Sequence, residues 1–343
     1  MKKILTFILV LITINTTAQN LSFLKRFEIE NYYDNNILRL ADKTLKEFES
    51  GSNPDKFRLK SSDDLITAFR LDLGIKHYFP LGHTQINKIV LKFNKYWQND
   101  FMNEVYIRFS LQQFLSRDLN FQLNYYYYPE IYSNNFISVL DDDYHSYTYS
   151  KNVYNAVIRW DISKNLAIDY KFEYGQYYYN KYFTEYDSES IKNQLDLQVK
   201  LLPNLHSTLS YAYRISQADA TEAYPELSYF QPKDASYKAN ISSFQLVVPK
   251  LISLNKNYLQ LRLKLALEGY YYQSNLSGDS YHLNRDDNYV RLYIDLNFPL
   301  QENLTLITYL NSDERRTDSP YSSVEEDKNY SRMRSGFSLI YRF

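Results

Sequence analysis

The feature that most constrains this chain is a two-residue alternation of apolar and polar side chains, renewed in segment after segment. It is cleanest where Leu259, Leu261, Leu263, Leu265 and Leu267 alternate with Gln260, Arg262, Lys264 and Glu268. Period two is the strand period, so each such segment presents one apolar and one polar face. Phe69, Leu71, Leu73 and Ile75 oppose Arg70, Asp72 and Lys76; Leu166, Ile168, Tyr170 and Phe172 oppose Asp169, Lys171 and Glu173. Phe23, Phe27 and Ile29 against Arg26, Glu28 and Glu30 form a weaker first strand, ending near Tyr33. The segment from Tyr237 to Val248 slips phase between Ile241 and Phe244, which reads as a bulge. In all, the pattern predicts about fourteen strands, within roughly 12 to 16, of ten or more residues each.

The connections alternate too. Short ones fall at 80–85, 116–118, 163–165, 203–206, 249–257 and 299–303. Long ones fall at 34–62, 129–150, 178–190, 217–236, 273–288 and 311–330, and only 98–102 breaks the rule. Within 34–62, Leu38, Ala41, Leu45 and Phe48 have helical spacing, and Gly51, Asn53 and Pro54 end it. This segment reads as an outer cap, long enough to fold inward as a constriction. Tyrosines cluster at the long-loop ends, at 125–128, 177–179 and 270–272, which predicts an outer aromatic girdle.

The two ends carry address-like features. Lys2 and Lys3 precede an apolar run from Ile4 to Ile14, and Thr16, Thr17 and Ala18 supply small residues. That is the anatomy of a secretory signal peptide over 1–18, and the run is too short to span a bilayer. At the other end Phe337, Leu339, Tyr341 and Phe343 share one face of a last strand, with Arg334, Gly336, Ser338, Ile340 and Arg342 between them.

This ending resembles the C-terminal strand of bacterial outer-membrane β-barrel proteins. The resemblance implies that Phe337, Leu339, Tyr341 and Phe343 are an insertion signal read by the outer-membrane insertion machinery. It also implies that the last strand pairs with the first to close the wall. The expected fold is all-β: residues 19–343 form one transmembrane antiparallel up-and-down barrel of the outer membrane, in contact with lipid and lipopolysaccharide. Short turns and long outer loops belong to that architecture. Closure should set Glu28 and Glu30 beside Arg332 and Arg334 within the lumen.

Composition fits this reading. A mean hydropathy of -0.52 is too polar for helical spans, but a barrel needs one apolar face per strand. The 37 tyrosines suit strands and membrane interfaces. A formal charge of -1 argues against a nucleic-acid partner. The absence of cysteine excludes disulfides, thiolate metal sites and a Cys nucleophile.

Parity assigns a set of charges to the inner face: Arg70, Asp72, Lys92, Glu104, Arg108, Asp169, Lys171, Glu173, Asp196, Lys200, Arg214, Arg262, Lys264, Glu268, Arg291, Asp295 and Arg334. Arg262 and Lys264 are like-charged neighbours, so an adjacent strand should supply a carboxylate, with Asp295 the best placed. The histidines have no metal or triad spacing, and His282 reads as solvated loop surface. Asp141–Asp143 and Glu325–Asp327 are acidic runs better read as solvated loop than as cation sites. No cofactor, metal site or catalytic constellation is expected. The reading is a narrow channel or facilitator for small polar solutes. A non-conducting accessory barrel, held with partner proteins in a membrane complex, is the alternative.

Overall fold

In hydrocarbon every backbone N–H and C=O must be satisfied internally, so an alternating chain of this kind is stable only if its sheet closes. The computed structural model describes residues 20–78, 84–218, 220, 233–254 and 257–343. The expected targeting segment 1–18 and the turn at Pro80–Gly82 lie outside the described residues.

Fourteen strands follow in chain order: β1 (Asn20–Asp34), β2 (Asp64–Tyr78), β3 (Thr84–Tyr96), β4 (Glu104–Phe114), β5 (Leu119–Ile137), β6 (Tyr144–Ser163), β7 (Leu166–Tyr179), β8 (Ser188–Leu202), β9 (Leu205–Gln217), β10 (Tyr237–Leu254), β11 (Asn257–Tyr272), β12 (Asp286–Pro299), β13 (Leu304–Asp318) and β14 (Tyr330–Arg342). Each pairs antiparallel with its sequence neighbours, and β1 pairs with β14 to close the barrel. Among the described residues two short α-helices stand in the outer loops, α1 (Asp42–Ser50) and α2 (Ser322–Lys328). Gly51, at φ 64°, ends α1 in the left-handed conformation that glycine adopts without a Cβ penalty.

The pleat sorts the side chains. Phe69, Leu73, Ile89, Leu91, Ile158, Trp160, Leu195, Leu209, Leu265, Leu292, Phe337 and Leu339 are all exposed. Together they make the lipid-facing belt of a transmembrane barrel. Phe343 packs edge-on against Tyr341, with ring centroids 4.7 Å apart. Its backbone N–H donates to the Lys25 carbonyl at the seam.

Several sequence expectations are corrected here. The 129–150 loop is mostly strand: β5 and β6 run on as a hairpin, through register shifts at Tyr128/Ile131 and Tyr132/Asn134. Polar, tyrosine-rich extensions of this kind stand in water and lose the apolar alternation that marks a membrane segment. The 311–330 loop likewise begins only after Asp318, and α2 fills much of it. In β10 the register is continuous through Ile241 and Phe244, and the irregularity falls between Val248 and Ile252. The apparent phase slip is a run of small polar residues, Asn240 and Ser242, at outward positions.

The seam register also differs. Arg334 lies opposite Asp34, while Glu28 and Glu30 lie opposite Ile340 and Ser338. Asp34, expected in the loop that follows β1, is its last residue and pairs with Arg332. Gly336 faces Tyr32 in this register. A Cβ at Gly336 would collide with the Asn31 carbonyl oxygen and with Tyr32, so the two strands approach closely only with glycine there.

The apolar core of the molecule sits at the mouth. Ile37, Leu40 and Leu59 from the β1–β2 connection are buried together with Ile66, Tyr96, Met102 and Tyr132. Ile66 and Tyr96 have inward parity on β2 and β3, so the connection packs inside the wall. Arg39 reaches Asp313 on β13 at 3.4 Å. Asn53 donates to the Tyr144 hydroxyl of β6 at 3.1 Å. The 35–63 segment thus runs across the mouth from the seam toward β6, as a cap folded inward.

Candidate functional site, the inner wall and the mouth

The inner wall is a lattice of charge pairs. Arg70 binds Asp72 at 2.7 Å, Lys92 binds Glu30 at 3.2 Å and Lys171 binds Asp196 at 2.5 Å. Glu173 takes both Lys192 at 3.3 Å and Arg214 at 3.2 Å. Arg291 spans Glu268 at 2.8 Å and Asp313 at 3.2 Å. Arg262 pairs with Asp295 on the neighbouring strand, the carboxylate expected of it. Asp169 accepts from Gln198 at 2.7 Å and stands 3.5 Å from Arg159. Glu104 accepts from Asn94 at 3.2 Å.

Not every expected residue joins this lattice. Lys200 is exposed beside the β8–β9 turn, opposite His206. Arg108 and Lys264 stand over Tyr126 and Tyr293, each 5.8 Å from the ring centroid. Arg334 and Lys264 make no ion pair among the described residues. Others join that lie outside that set, although Glu30 and Arg332 are expected in the lumen at the closing seam. Glu30 also accepts from the Tyr309 hydroxyl at 2.7 Å. Arg159 pairs with Asp161 at 2.9 Å, and Arg332 with the buried Asp34. Their parity marks them as inward; their partners depend on a register that the sequence leaves open.

Above the charges is a collar of tyrosines. The clusters at 125–128, 177–179 and 270–272 are not simply an outer girdle, because consecutive strand residues point to opposite faces. Tyr125, Tyr178 and Tyr271 face out, whereas Tyr126, Tyr128, Tyr177, Tyr179, Tyr270 and Tyr272 face in. Inside, Tyr106 meets Tyr128 at 5.2 Å, Tyr149 meets Tyr179 at 5.0 Å, and Tyr270 meets Tyr237 at 5.1 Å and Tyr289 at 5.2 Å. Lys151 lies 5.7 Å from the Tyr128 ring and 5.0 Å from the Tyr177 ring. Parity read within each tyrosine run would have found this inner set.

The collar opens into a cavity of about 700 Å³ at the mouth, lined among others by Tyr147, Tyr186, Tyr272, Tyr281, Arg285, Arg315 and Lys328. Its far wall is the 273–285 loop. There His282 is buried rather than solvated, and its Nδ1 lies 2.9 Å from Asp279. Asp279 also accepts from the Ser274 hydroxyl and the Asp234 N–H. Burial alone would raise the Asp279 pKa. The contacts from His282, Asp234 and Ser274 outweigh it and hold the carboxyl below its usual range. The acidic runs act locally: Asp141 meets His145 at 2.8 Å, and Glu326 and Asp327 meet Lys43, each at 3.4 Å. Among the described residues no group of three or more His, Asp or Glu is placed to hold a metal ion.

No protein-family model matches the chain, and no curated protein matches it. Solved structures do resemble it. A bacterial polysaccharide outer membrane secretin superposes with a TM-score of 0.50 at 10% identity, covering 93% of this chain and 98% of its own. OmpT of Vibrio cholerae gives 0.49 at 8%, covering 94% and 97%. An anion-selective porin from Comamonas acidovorans gives 0.45 at 7%, covering 94% and 99%. At these identities the likeness concerns the fold. The closed wall and its lipid-facing belt give this chain the fold of the bacterial outer-membrane β-barrels.

Proposed function

We propose that the chain is a narrow outer-membrane channel or facilitator for small polar solutes. The observation that carries this reading is the inner wall, where charges of both signs are drawn into pairs along the strands beneath an inward-folded cap. Paired charges keep a lumen polar without giving it a strong field of one sign. The cap narrows the entrance. The C-terminal strand, with Phe337, Leu339, Tyr341 and Phe343 on its outer face, is the segment that the insertion machinery would read. The outer face meets lipid, and the loops meet lipopolysaccharide.

Purified protein in planar bilayers tests the reading. Discrete current steps of small size and weak ion selectivity are expected. Lys264→Glu, which reverses an inner charge that lacks a carboxylate partner, should move the preference toward cations. Silence from well-folded protein, both intact and with the cap shortened, would overturn the channel.

A further inference from the structure

The mouth cavity has a chemistry that the inner wall lacks. The wall's charges are largely matched, whereas among the described residues five cations line this cavity against two carboxylates, and of the five Lys56 is paired with Glu47 at 2.6 Å. Arg285 and Arg315 share one partner, Asp287, at 2.8 Å and 3.1 Å, so one guanidinium charge is left over. Lys328 makes no ion pair among the described residues. Its ammonium sits 4.2 Å from the Tyr281 ring centroid. Burial pulls the Lys328 pKa down to about 8, the mark of a cation short of countercharge.

Ring faces stand beside these cations. Arg285 lies 4.1 Å from the Tyr272 ring centroid and donates to the Tyr272 hydroxyl at 2.8 Å. It lies 5.2 Å from the Tyr281 ring. The Tyr281 ring therefore lies beside both Arg285 and Lys328. A volume of about 700 Å³ falls within the range that small-molecule sites occupy.

We propose that this cavity is a binding site for a ring-bearing organic carboxylate, held by Arg315 and Lys328 through its carboxylate and by Tyr272 and Tyr281 through its ring. Two guanidiniums sharing one carboxylate leave capacity for a second, and a planar carboxylate matches a guanidinium fork. Flat aromatic acids and sugar acids both meet these demands, since a tyrosine face packs against either. The inference rests on the channel reading, because it makes the site a selectivity vestibule above the lumen. Binding at equilibrium, however, needs no conduction.

Calorimetric titration of the folded barrel in detergent with benzoate, glucuronate, glucose and sulfate tests it. Saturable binding of benzoate or glucuronate is expected, and whichever binds names the source of the ring. Lys328→Gln should weaken binding about tenfold, as expected for loss of one charged contact. Tyr281→Leu should weaken the ring acids while leaving sulfate unchanged, and Lys60→Gln, outside the cavity, should change nothing. Sulfate or glucose binding as tightly as the acids would overturn the proposal, as would a Lys328→Gln variant that binds normally. Ligand binding by a protein that never conducts would instead defeat only the channel reading.

Discussion

The lower wall and the mouth of this barrel are built on different rules. In the wall, partners are close in sequence or at most one strand removed: Arg70 with Asp72, Arg159 with Asp161, Arg262 with Asp295 on the next strand, and Lys92 with Glu30 across β2. At the mouth, partners come from distant parts of the chain. Asn36 donates to the carbonyls of Leu40 and Ser331, and accepts the Leu40 N–H at 2.7 Å. Asp64, fully buried, accepts the N–H groups of Trp97 and Gln98 at 3.0 Å and of Asn99 at 2.8 Å. A periodic wall needs only parity to be correct. An aperiodic mouth needs each tertiary contact specified.

The largest effect should come from the element on which the whole wall depends. Changing Phe337, Tyr341 and Phe343 together to Ser removes aromatic rings from the lipid face of β14 and from the proposed insertion signal. Membrane fractions should then contain no heat-modifiable barrel. Normal yields of folded protein would break the assignment of that face.

This also marks what was legible. The fourteen strands, their antiparallel order and the closing pair could be read because lipid demands alternation in every spanning segment. The seam register could not, since Glu28, Glu30 and Asp34 all have inward parity and only the backbone register brings Asp34 to Arg332. The inner tyrosines are harder to see because a run of tyrosines has no polar–apolar contrast of its own, and its phase comes only from the alternation that leads into it, as from Leu123 to Tyr125. His282 was misread because its burial depends on Asp279 and the loop around it, which no period announces.

Next in size is Asp34→Ala, which strands the guanidinium of Arg332 at a nearly buried site. Breaking such a pair costs about 3–5 kcal/mol. Urea unfolding of the purified barrel should show a lowered midpoint, and Glu28→Ala should cost less, because it unpairs Arg26 at a more exposed place in the wall. Equal costs would erase the distinction between wall and mouth.

A smaller and more local effect is expected from Leu40→Ala. It leaves a cavity in the cap core, and buried Leu→Ala changes cost about 2–5 kcal/mol. The loss should fall on the cap rather than the wall. Limited proteolysis should therefore cut within 35–63 faster while the barrel keeps its heat-modifiable mobility. Destabilisation of the entire barrel would show that cap and wall are one cooperative unit. Least of all, Lys60→Ala should leave both readouts unchanged, because Lys60 and Asp100 meet in water at 3.4 Å.

The central claim, that a conducting wall lies beneath a constricting cap, is tested most directly by single-channel current before and after the cap is loosened. Arg39→Ala combined with Leu40→Ala removes the link to Asp313 and thins the cap core. Small steps from the parent protein and larger steps of the same ion preference from the double variant are the predicted result. Identical steps from both proteins, or no current from either, would contradict it.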